Sequence, residues 1–77
     1  MKKNGTGVAL LAALEIKYEG DIAIGKANIG VYMNNASGIG DHPDIIDAID
    51  DQIEKVAEAS EKLDVVRDLL FEEQEEE

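Results

Sequence analysis

The sequence predicts an all-α fold: an antiparallel two-helix hairpin over about residues 8–34 and 43–71, with a hinge loop at 35–42. Three observations carry this expectation. Apolar residues step by three and four along both segments, the stripe a helix buries. The stretch Asn34-Asn35-Ala36-Ser37-Gly38-Ile39-Gly40-Asp41-His42-Pro43-Asp44 gathers the turn and capping residues between them. The segments also match in length, about 40 Å and about 43 Å as helices at about 1.5 Å per residue, so an antiparallel pair leaves little seam uncovered.

Residues 1–7, with two Lys, one Asn and two Gly, read as a frayed start. In the first helix Leu11, Leu14, Tyr18, Ile22, Gly25, Ile29 and Tyr32 form one stripe of coiled-coil spacing. A ββα fold, with an N-terminal β-hairpin packed on the C-terminal helix, competes for the same residues. Leu14, Ile16 and Tyr18 alternate with polar positions, Glu19-Gly20-Asp21 can turn, and Ile22 and Ile24 alternate again. Gly20, Gly25 and Gly30 favour it, since each costs a helix interior about 1 kcal/mol relative to Ala. The helix is preferred because the alternation fails at Gly25-Lys26-Ala27-Asn28, whereas the three–four stripe persists.

The second helix is strongly marked. Asp41 can cap it, Pro43 suits a first turn where no N–H partner exists, and Asp44 lies three residues after Asp41 as in a capping box. Ile46, Ile49, Ile53, Val56, Ser60, Leu63, Arg67 and Leu70 recur at alternating steps of three and four. Asp51–Lys55 and Glu58–Lys62 are acid-before-base pairs four apart. The run Glu72-Glu73-Gln74-Glu75-Glu76-Glu77 opposes the helix dipole and is expected to fray as an acidic tail. A turn centred near Ser37–Gly38 pairs residues whose numbers sum to about 76 or 77, placing Gly25 opposite about Ile53 and Tyr18 opposite Ser60. The core then joins Leu11, Leu14, Tyr18, Ile22, Ile29 and Tyr32 to Ile46, Ile49, Ile53, Val56, Leu63 and Leu70.

The first helix has a second apolar side. Leu10, Ile16, Ile24 and Val31 lie roughly opposite the seam stripe at about 100° per residue. One hairpin partner cannot cover both faces, so these four are expected to bury against another chain, most simply as a homodimer. A chain of 77 residues also makes a small core, which partners or self-association commonly supplement.

Composition excludes several classes. No Cys removes disulfides and thiolate chemistry, and one His removes a His/Cys zinc site. The net charge of −11 splits into +1 over residues 1–35 and −12 over residues 36–77. An acidic half repels nucleic-acid backbones and anionic membranes, so direct nucleic-acid binding is not expected. No apolar run approaches the length of a bilayer span, and the N-terminal apolar run is short and lacks a clean cleavage site, so a cytoplasmic protein is expected.

Asp41, His42 and Asp44 are too few ligands for a calcium or magnesium loop, and capping explains them. Gly38-Ile39-Gly40 precedes a helix as phosphate loops do, but it has no Lys and four Asp follow closely, so it reads as a turn with Ile39 folding back as a clamp. No catalytic residue, metal or cofactor is assigned. Tyr18 and Tyr32 read as seam residues with their hydroxyls reaching water. The acidic helix could act as a nucleic-acid mimic that occupies a basic protein surface, a second reading beside a solvated face.

Ala27-Asn28-Ile29, Val31-Tyr32-Met33-Asn34-Asn35, Gly38-Ile39-Gly40-Asp41-His42-Pro43-Asp44-Ile45 and Gln52-Ile53-Glu54-Lys55-Val56-Ala57-Glu58-Ala59 carry a resemblance. Over roughly residues 14–66 the chain resembles small uncharacterised proteins of marine tailed phages, cyanophages especially, and of ocean metagenomes. The resemblance implies a helical hairpin in a phage-infected bacterial cytoplasm and implies no activity. Gly20, Gly25 and Gly30 depart from its more helix-friendly pattern.

Overall fold

A computed structural model describes residues 5–35 and 42–75 as two α-helices, α1 (Gly5–Asn35) and α2 (His42–Glu75), packed side by side as an antiparallel hairpin. No strand occurs among the described residues, so residues 14–24 are helix rather than a β-hairpin. The loop residues 36–41, including Asp41 as cap and Ile39 as clamp, lie outside the described residues. Pro43 falls in the first turn of α2, where its missing N–H breaks no helical bond.

Both helices are longer than their sequence stripes. α1 begins at Gly5 rather than residue 8, and α2 runs to Glu75 rather than residue 71. Half-buried Glu73 occupies the next seam position after Leu70, so packing carries the helix into the acidic run. The early start of α1 gives that extra length something to pack on.

The inner face of α2 is Ile45, Ile49, Gln52, Val56, Ala59, Leu63, Val66 and Leu70, alternating steps of four and three. Ala59, Leu63 and Val66 are its buried centre. Ile49, Val56, Leu63 and Leu70 therefore take their expected places, while Ile46 and Ile53 do not: both are exposed on one edge of α2. Half of the stripe is rotated by one residue, with Ile45, Gln52, Ala59 and Val66 inside in place of Ile46, Ile53 and Arg67, while Ser60 stays half-buried beside Ala59. The physical reason is polarity. The observed stripe carries one polar residue, Gln52, and that residue has a partner across the seam, the Asn28 side-chain amide donating to its Oε1 at 3.1 Å.

The register also moves. Gly25 faces Val56 and Asn28 faces Gln52, pairs whose numbers sum to 81 and 80 rather than 76 or 77. The slide is about one helical turn. The Gly25 contact explains where it stops. A Cβ at Gly25 would lie 2.5 Å from Val56 Cγ2 and 3.6 Å from the Gln52 carbonyl oxygen, so the helices approach closely here only because no side chain intervenes. Arg67, expected near Leu10, reaches Glu15 and Glu19 instead, at 3.1 Å and 2.6 Å.

Candidate interaction surface

The hairpin is a rod of 59 × 14 × 13 Å, and its long faces differ in chemistry. Within α1, Leu11, Tyr18, Ile22, Gly25, Ile29 and Tyr32 point toward α2, with Leu14 at the edge of the seam. At about 100° per residue the opposite side is Ala9, Ala13, Ile16, Gly20, Ala23, Ile24, Ala27 and Val31. All are exposed, and none is charged. Leu10, Ile16, Ile24 and Val31, the residues expected to bury against another chain, are 55–68% exposed. Gly20 belongs to this surface: nothing lies within 4 Å of a Cβ built on it. A helix with apolar residues on two opposite sides ordinarily buries both, and α1 has α2 on one side only.

The outer face of α2 is the reverse. Asp47, Asp50, Glu54, Glu61, Asp68 and Glu72 run along it, all exposed, with Val65 the one large apolar residue among them. Heptad mates such as Asp47, Glu54 and Glu61 recur about every 10.5 Å. An edge of α2 adds a thinner apolar strip of Ile46, Ile53 and Phe71, all exposed. The molecule thus turns an uncharged apolar face to one side and a row of carboxylates to the other.

Between them, one flank holds an open groove of about 350 Å³ beside Gly25, lined by Lys17, Tyr18, Asp21, Asn28, Lys55 and Lys62 among others. Lys17 and Lys62 sit over the Tyr18 ring, 5.3 Å and 5.7 Å from its centroid, within cation–π range. Lys62 thus turns to the ring rather than to Glu58. The Lys17 ammonium donates to the Asp21 carboxylate at 2.8 Å, and this hydrogen bond is the main reason its pKa is raised above the ordinary value. A lysine held protonated is a poor nucleophile or base, so Lys17 itself offers no activated amine. On the opposite flank the Arg67 guanidinium donates to Glu15 and Glu19, and the Glu15 bond leads the causes that raise its pKa.

Asp44 lies in the first turn of α2, and Asp41 is outside the described residues. Among the described residues no three His, Asp or Glu are grouped to hold a metal ion, and no helix is long and apolar enough to cross a membrane. The residues missed by sequence reasoning are Ile45, Gln52, Ala59 and Val66 of the seam, Asn28 that pairs with Gln52, and the Glu15–Glu19–Arg67 clasp. A signal for the first group existed: the stripe through Ala59 and Val66 is more apolar than the one through Ser60 and Arg67. Neither a family model, a curated protein nor a solved structure matches the chain.

Proposed function

We propose that this protein is a small, non-enzymatic helical interaction module that self-associates through the outer face of α1 and turns the acidic face of α2 outward. The single observation that carries this reading is the uncharged outer face of α1, with Ile16, Ile24 and Val31 in solvent and Leu10 exposed beside it. Exposed apolar area of that extent, continuous along a helix, is the usual mark of an interface. The resemblance to marine phage proteins gives the setting, the cytoplasm of an infected bacterium. The test is the double substitution Ile16→Glu with Ile24→Glu, followed by sedimentation. The parent chain should sediment as an oligomer of the 8.3 kDa protomer and the variant as a helical monomer. Identical masses for the two would overturn the reading.

A second reading, a decoy that occupies a basic protein surface normally bound to nucleic acid, is favoured by the carboxylate row on α2. Its signature is binding to basic partners that is lost in moderate salt, because such contacts are screened within about 8 Å at physiological ionic strength. Binding that survives salt and depends on Ile16 and Ile24 belongs to the first reading.

A further inference from the structure

We infer that the occupant of the α1 outer face is a second copy of this chain, lying antiparallel with Gly20 of both copies at the two-fold axis. This rests on the self-association reading above and adds its geometry. The first support is a palindrome. Gly20 is the centre of the face; Ile16 and Ile24 flank it four residues away on each side, and Ala13 and Ala27 lie seven away on each side. Ala9 and Val31 follow at eleven. Reversing the helix therefore lays isoleucine level with isoleucine and alanine level with alanine. At the margins the match ends: Ala23 falls level with Lys17, and Ala9 with Val31.

Geometry permits the close approach. Ile16 and Ile24 sit on opposite edges of the face, about 80° apart around the helix. In the antiparallel pair Ile16 of one copy and Ile24 of the other pass on opposite edges rather than colliding. Between them the two backbones meet at Gly20, where no atom lies within 4 Å of a built Cβ, so the approach is open.

Electrostatics chooses the antiparallel arrangement over the parallel one. Residues 36–77 carry −12, and a parallel pair would bring the acidic runs at Glu72–Glu75 to the same end of the rod. The antiparallel pair puts them at opposite ends and also opposes the α1 dipoles. Along one edge it sets Lys17 of each copy within a turn of Asp21 of the other, an opposite-charge exchange repeated by the two-fold.

The chain has no native Cys, so single cysteines report on geometry without background. Ala13→Cys and Ala27→Cys are made separately, checked for helicity and light-scattering mass, and oxidised alone and as a mixture. The expected result is dimers throughout, with a disulfide-linked product abundant in the mixture and at least fivefold lower in either variant alone. Linkage of each variant alone would overturn the antiparallel arrangement while leaving self-association standing. A dimeric mass with no linkage in any sample would place the second copy on another face and overturn the inference. A monomeric mass for the parent chain would overturn the self-association reading itself.

Discussion

Gly25 sets the register through what it lacks. Its neighbour Val56 is β-branched and turns poorly, so Gly25→Ala trades about 1 kcal/mol of helix propensity against an overpacking cost of about 1–3 kcal/mol. The expected net result is a lower melting temperature, largely restored when Val56→Ala is added, because the pair then exchanges volume across one contact. Gly30 faces open space, so Gly30→Ala should stabilise the hairpin by up to about 1 kcal/mol. Thermal denaturation of the three variants checks both expectations; equal effects at the two glycines would remove the packing argument. The Lys17–Asp21 link is a smaller matter. Because the folded state raises the Lys17 pKa above 10.5, the link contributes fully below the unfolded value and is lost as pH rises through the folded one.

At the scale of the helices, the hairpin was legible because periodicity, capping residues and matched lengths agree, while its outer limits at Gly5 and Glu75 were not. The Pro43 position and the inner face of α1 follow from the same signals. Half of the α2 stripe was not legible from spacing, since a three–four alternation fits either of two neighbours at each of its other turns. Ile45 and Ile46 are equally apolar, and hydropathy alone prefers Ile53 to Gln52. What decides is a cross-helix event, the Asn28–Gln52 hydrogen bond, which no single-helix pattern contains. Half-buried polar pairs of this kind fix register at some cost in stability. The difference is measurable. Leu63→Ala, in the buried centre, should cost about 2–5 kcal/mol, whereas Ile53→Asp, on an exposed edge, should leave helicity and melting temperature nearly unchanged. Unfolding by Ile53→Asp would return that residue to the seam.

At the scale of the whole molecule, the chain is long and thin. Its radius of gyration is 17.4 Å, against about 11.5 Å for a compact domain of this length. Among the described residues only Ala59, Leu63 and Val66 form a buried apolar centre, and no side chain is fully buried. Such a core is small for a free-standing fold, which is the physical case for a second copy. Charge acts in the other direction: the −12 of residues 36–77 repels itself along α2. Screening should relieve this more than it weakens the Arg67 clasp to Glu15 and Glu19, so the melting temperature should rise between low and physiological salt. A fall would mean that the clasp outweighs the repulsion. The acidic face was legible from composition, and so was the second apolar side of α1. A reason for Gly20 was not, because nothing in the hairpin lies within 4 Å of a side chain built there.

The central claim is that α1 is covered on both sides, by α2 within the chain and by another chain outside it. Its most direct test is the light-scattering mass of the unmodified protein at tens of micromolar. The account predicts twice the 8.3 kDa protomer mass; a monomeric mass at that concentration would contradict it.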